Sequence, residues 1–279
     1  MKKNNLRIIA LVISATLVIS LFFIIWQQTD YRKSSSSREQ AQQMAGVDDL
    51  KLESIPTELE SIPTEFDEES EMEEEDPPRE PDANEAALLE MDLVALQQSN
   101  PDVRGWIAIP DTVISYPIVQ GTDNSYYLNH TWNHERNSAG SIFLEHQISP
   151  DFSDYNTLIY GHRMNNGTMF TGLHDYKSLE FWQTHSYVYI LTPTGVSCYQ
   201  VYAAYEAPVD SITYALELNS ESIYRDFLDF GLENSWIDTG VQPLSADSVI
   251  TLVCCTGHGH AARWVVQAVL DHTIPAEQP

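Results

Sequence analysis

Basic residues are scarce in this 279-residue chain: 14 Lys and Arg stand against 41 Asp and Glu, a formal charge of −27. From residue 83 onward the imbalance is 6 against 23, which argues against nucleic acid as a partner, because phosphate binding needs clustered cations. Cysteine is nearly absent too. Three residues, an odd number, do not build a disulfide framework, and an odd thiol outside the cytoplasm reads as potentially reactive. Missing as well is any regular alternation of strand and helix patterns, so a doubly wound parallel sheet fits poorly.

What is present begins with an apolar run. Ile8 to Trp26 holds 19 residues without a charge. As a helix it spans roughly 28 Å, close to the hydrocarbon thickness of a bilayer. Lys2, Lys3 and Arg7 precede it and place the N-terminus in the cytoplasm, although Arg32, Lys33 and Arg38 follow it. A small-residue cleavage site is lacking, since Trp26-Gln27-Gln28-Thr29 comes next. The reading is a cytoplasmic stub at 1–7 and an uncleaved single-pass anchor at 8–26, with the rest of the chain extracellular.

Residues 27–82 read as an acidic, disordered linker. Between Asp48 and Asp82 there are 16 acidic and 2 basic residues, too polar and self-repelling to bury a core. The duplicated "ESIPTEL" and "ESIPTEF" carry prolines that discourage a helix, and two seven-residue copies make no solenoid.

Residues 83–279 are long and apolar enough for one domain with a core. Asn84–Gln98 has helical spacing, with Leu88, Leu89, Leu93 and Leu96 on one side. The runs 103–110, 113–120, 140–146 and 156–162 read as strands, and a helix is expected at 177–185. A hairpin at 187–208, a helix at 220–234 capped by Ser220, and two closing strands at 248–255 and 263–274 follow. Many short strands with a few helices predict an α+β fold or a mostly-β barrel.

The chemistry concentrates in "TLVCCTGHGHAAR", Thr251–Arg263. If the last two strands form a hairpin, Cys255 ends one and Arg263 begins the next, at roughly 5 Å between Cα atoms if directly opposed. Alternation sends Cys254 and Cys255 to opposite faces, so one belongs to the core and only the other shares a face with Arg263. Three readings are open on these residues: buried packing cysteines in an adhesion domain, a zinc cluster of Cys254, Cys255, His258 and His260, or a nucleophile with helpers. Adjacent cysteines on a strand lack the usual C-x2–4-C spacing of a structural zinc site. Nucleophilic thiol chemistry needs a proton partner and an oxyanion stabiliser. Among nine histidines, His162 stands at a strand end beside the loop "RMNNGTMF". Cys198, inside the strand-like "GVSCYQVYAAY", reads as a packing residue.

"TLVCC" followed by Arg263 resembles the T-L-x-T-C…R signature of sortases, the surface cysteine transpeptidases of Gram-positive bacteria. "LIYGHRMNNGTMF" is similar to the histidine region of their class B, as are "GTDNSYYLNHTW", the helix-like insert at 220–234 and the membrane anchor. The resemblance covers most of residues 85–275. It implies a closed sortase-type β-barrel, mostly β with added helices: one at the N-terminus and one inserted before the penultimate strand. It implies Cys255 as nucleophile, His162 as proton donor or base, and Arg263 as stabiliser of the oxyanion or the substrate backbone. Asn124, Leu128, Tyr160 and Val253 match positions lining the sorting-signal groove. Cys254 stands where the family usually has Thr, and Val253 where it often has Ser. No cofactor or metal is implied. The implied partners are a P-x-T-type sorting-signal peptide, an amine of cell-wall precursor or a pilin lysine, and the membrane. A papain-type peptidase has its cysteine before its histidine, the reverse of this order. At pH 7.4 only about 1% of molecules would carry both thiolate and imidazolium at unperturbed pKa values; Arg263 can favour the thiolate.

Overall fold

The computed structural model describes residues 2–47, 51–54, 79–255 and 261–276. Eight strands carry the fold: β1 (Val103–Ala108), β2 (Ser115–Val119), β3 (Ile142–Leu144), β4 (Asn156–Tyr160), β5 (Tyr187–Thr192), β6 (Gly195–Pro208), β7 (Val249–Cys255) and β8 (Ala262–Pro275). They close into a barrel in the order β1-β2-β3-β4-β7-β8-β6-β5. The pairs β2–β3 and β4–β7 are parallel and the others antiparallel. The mostly-β closed barrel expected from the sequence is therefore present, and parallel β4 and β7 are joined by a crossover holding 88 residues between Tyr160 and Val249. Bulges on the long β6–β8 pair, at Cys198/Tyr199 and Val201/Ala203, supply the bending that closure demands.

Alternation along β7 shows how the barrel sorts its side chains. Ile250, Leu252 and Cys254 are buried in the interior with Ile107, Ile118 and Val266. Val249 and Val253 belong to the outer cluster, against the α-helix at Glu221–Asn234. Trp182 and Trp264 fill the interior, and each indole N–H reaches a carbonyl, Val201 at 2.8 Å and Leu173 at 2.7 Å.

A buried polar network holds the register of the strands that carry the candidate site. The Thr251 hydroxyl donates to Asn156 Oδ1 (2.6 Å) and accepts from Gln267 Nε2 (3.2 Å). Asn156 Nδ2 donates to the carbonyls of Thr213 and Ala215, and the Tyr202 and Tyr205 hydroxyls both donate to Gln267 Oε1. Satisfied groups of this kind favour one register over its neighbours, since a slipped strand would strand them unpaired.

The N-terminal helices differ from the sequence reading in two places. Helix α1 runs Lys2–Met44, past the apolar segment and into contact with the barrel. Its Asp30 carbonyl accepts from Asn137 Nδ2 (2.9 Å), Trp132 Nε1 donates to the Ser37 carbonyl (2.8 Å), and Ala41 is fully buried. The tether expected from residue 27 is thus, through Met44, a packed helix. Small residues at Ser37, Ala41 and Ala45 let it approach the barrel closely, a tertiary effect invisible in local charge. Val47 and Leu52 are buried too, and residues 55–78, the acidic core of that tether, lie outside the described residues. The single helix expected at 84–98 is two, α2 (Ala83–Leu89) and α3 (Leu93–Ser99). Asp92 caps the second through Ala95 N at 2.8 Å, while its own N–H bonds Ala45 O of the incoming chain. Helices α4 (Leu179–Thr184) and α5 (Glu221–Asn234), each capped by a serine, match the expected segments.

Candidate active site

Three adjacent strands bring the sequence-selected residues to one end of the barrel. In the parallel pair β4–β7, Tyr160 lies opposite Val253, and Gly161 N–H donates to the Val253 carbonyl at 3.0 Å. Two residues further on each chain stand His162 and Cys255. Across β7–β8, Cys255 pairs with Arg263 in direct Cα register, as the hairpin reading expected. The lateral order is therefore His162, Cys255, Arg263, with neighbouring strands spaced about 4.8 Å apart. Cys254, 2% exposed, belongs to the barrel interior, so position 255 falls on the face of Val253. The Cys255 side chain and residues 256–260, with His258 and His260 of the paper zinc cluster, lie outside the described residues.

A cleft of about 450 Å³ opens at this end, lined by Asn124, Leu128, Tyr160, His162, Val253 and Arg263 among others. All four groove positions named from the sequence thus face one cavity together with His162 and Arg263. The cleft wall on one side is the loop after β2. Asp123 shapes it by accepting from the Ser125 hydroxyl (2.6 Å) and from the N–H groups of Ser125 (2.6 Å) and Tyr126 (2.9 Å), bonds that pull its carboxyl below the ordinary range. A 3-10 turn at Tyr126–Leu128 follows and leaves Leu128 42% exposed on the cleft. Gly140 backs this turn at φ +59°, where a Cβ would meet the Tyr127 carbonyl oxygen at 2.4 Å.

His162 Nε2 lies 2.7 Å from the Leu128 carbonyl oxygen. A carbonyl only accepts, so Nε2 carries the proton and the ring is oriented from across the cleft. Half-buried Arg263 has its Nη1 3.1 Å from the Ala262 carbonyl. Its charge reaches Tyr214, where burial raises the phenol pKa and the guanidinium opposes that rise.

One residue behind the cleft wall was missed by the sequence reading. Glu145 follows β3, is 6% exposed, and sits among Asn124, Tyr160 and His146. Burial, and secondarily its charge, push the Tyr160 pKa upward. An acidic residue closing the apolar run "SIFL" was the available signal.

Other titratable clusters resolve as packing. His174 stacks on Trp264 and His185 on Phe181. Cys198 is buried, and desolvation followed by the charges of Asp271 and Glu85 raises its thiol pKa, in keeping with a packing role. Glu85, Cys198 and His272 bring donor atoms within 4.8 Å of one another. Arg79 already supplies a cation to Glu85 (3.5 Å), whose other oxygen caps α2, and His272 Nδ1 pairs with Asp271. This cluster pins α2 to β8.

Residues 107–271 match the Sortase domain family. Over 167 residues the chain is 36% identical to sortase B of Listeria monocytogenes, covering 59% of this chain and 67% of that protein. A Staphylococcus aureus sortase B–substrate complex superposes with a TM-score of 0.61 at 28% identity, covering 69% of this chain and 87% of the other. Clostridium perfringens sortase B gives 0.61 at 29%, covering 65% and 100%.

Proposed function

The chain belongs to the sortase family of cysteine transpeptidases, and from that premise we propose a membrane-anchored enzyme that cleaves a P-x-T-type sorting signal through a Cys255 thioester. The observation carrying this reading is the placement of His162, Cys255 and Arg263 at one end of three adjacent strands, beside a peptide-sized cleft.

In the proposed reaction the Cys255 thiolate attacks the carbonyl carbon after the signal's threonine. Arg263, permanently charged, stabilises the oxyanion of the tetrahedral intermediate. The C–N bond then breaks and the leaving amine takes a proton from His162. An acceptor amine attacks the thioester, loses a proton to His162, and expels the thiolate. The Leu128 carbonyl holds the Nε2 proton and so keeps the imidazole in one orientation through both halves of the cycle. Leu128 and Val253 supply apolar wall to the signal, and Asn124 and Tyr160 supply polar groups. The acceptor amine belongs to cell-wall precursor or to a pilin lysine.

The apolar part of α1 is the one segment among the described residues long and apolar enough to cross a membrane, and it fits a single-pass anchor with the barrel outside. Mass spectrometry of the full chain in detergent with a panel of P-x-T peptides, with and without triglycine, tests the whole reading. An acyl adduct on Cys255 that turns over to an amine-linked product supports it. Product partition indifferent to added amine would make the protein a hydrolase, and no adduct with any peptide would end the reading.

A further inference from the structure

We propose that Glu145 is a positioning residue of the peptide groove, acting on substrate through Asn124 and Tyr160; the proposal rests on the groove reading above. Its carboxylate is almost wholly buried, and three protein donors reach it. Oε2 accepts from Asn124 Nδ2 (2.5 Å) and from the Tyr160 hydroxyl (3.2 Å). Oε1 lies 2.7 Å from His146 Nδ1 and accepts weakly from Gln147 N–H at 3.4 Å. A carboxylate so occupied has little left for a ligand, so its effect passes through the groups it holds.

Asn124 is held at both ends, because its Oδ1 also accepts the His146 N–H at 3.0 Å. That settles which way its amide points and leaves its second N–H as the group to offer a peptide. Tyr160 is committed as a donor to Glu145, so its oxygen meets the groove as an acceptor, strengthened by the charge behind it. Phe143, tilted against the Tyr160 ring at 5.4 Å, keeps the ring in place. One buried charge thereby sets one donor and one acceptor in a wall that also carries Leu128 and Val253. Asn124, Glu145 and Tyr160 come from three separate segments, which only the barrel brings together.

The consequence is a division of labour. The groups that face the Glu145 carboxylate belong to Asn124, Tyr160, His146 and Gln147, so losing it weakens peptide binding and leaves the chemical step nearly intact. Glutamine is the informative change, because an NH2 in place of Oε2 turns a donor toward Asn124 and Tyr160, which are donors already.

The experiment uses the full chain in detergent with the best substrate of the P-x-T panel. Glu145→Gln raises KM roughly tenfold or more, the loss expected for hydrogen bonds to a charged group, while kcat stays within about threefold. Glu145→Asp recovers part of the loss, and the rate of iodoacetamide alkylation at Cys255 matches wild type in both. A fall in kcat with unchanged KM overturns the proposal, as does Asp no better than Gln. A second measurement needs no substrate: the side-chain NH2 of Asn124, followed by NMR, is protected from exchange in the wild type and loses that protection in Glu145→Gln. Unchanged protection overturns the proposal even if no peptide is turned over, an outcome that counts separately against the transpeptidase reading.

Discussion

Cys255 and Arg263 face each other across the β7–β8 hairpin as direct Cα partners, at the strand end that β4 reaches in parallel with β7. The β7–β8 register and a two-residue overhang of β4 are thus enough to assemble three chemically different groups. Cys255 and Arg263 rest on a backbone hydrogen-bond ladder, and His162 follows β4 directly after the Gly161 N–H bond to Val253 O.

If Cys255 is the nucleophile, Cys255→Ala abolishes covalent capture of a peptide-derived electrophile, while Cys254→Ala retains it. Cys254 is an interior residue, so its removal lowers stability by about 1 kcal/mol or somewhat more without removing the reaction. Intact-mass analysis after labelling decides, and the reverse pattern would reject the assignment.

Arg263→Lys keeps the charge and loses the planar fork that can hold two oxygens at once. A fall in kcat/KM of roughly a hundredfold is expected, the scale of one lost oxyanion donor, with the melting temperature little changed. A variant near wild type would remove Arg263 from the chemistry.

Thr251→Val preserves shape and deletes the hydroxyl between Asn156 and Gln267. Leaving a buried amide oxygen unmet costs about 1–3 kcal/mol. Chemical denaturation should show that loss. The same variant is expected to lose activity beyond its stability deficit, because Asn156 and Thr251 hold β4 against β7.

Gly140→Ala puts a Cβ against the Tyr127 and Leu128 carbonyls at a positive φ. Backbone cannot yield as a side chain tip can, so about 2–4 kcal/mol of stability is lost. The Leu128 carbonyl that holds His162 is displaced with it. A variant as stable as wild type would show the turn to be less constrained than its contacts imply.

Alkaline pH should destabilise the fold through Cys198. Its thiol pKa is raised by burial, then by Asp271, Glu85 and Asp82. The native thiol keeps its proton where the unfolded one, near 8.5, releases it, so stability is full below that value and falls as pH rises above it. Denaturation midpoints between pH 7.5 and 9.5 should decline in the wild type and decline less steeply in Cys198→Ala. Parallel slopes would count against it.

Much of this was legible in residue order. The apolar run, the eight strand segments, the Ser220 cap, and the spacing from Thr251 to Arg263 are local patterns, and each signals itself through alternation or capping chemistry. Helix α1 beyond residue 26 was not legible, because its stability comes from Trp132, Asn137 and the α2–α3 face rather than from its own polar composition. The break at Glu90–Asp92 was hidden for the same reason: Asp92 donates to Ala45 O, more than forty residues earlier in the chain.

The sequence by itself determined the chemistry available: one thiol in register with one arginine, a histidine at a strand end, and a strand set that must close. What the tertiary structure alone decided is proximity. His162 and Cys255 are far apart in the chain and become neighbours because β4 and β7 pair in parallel, a contact no local pattern announces. Glu145, Asn124 and Tyr160 meet for the same reason, and a buried carboxylate with its donors in place exists only once the barrel has closed around it.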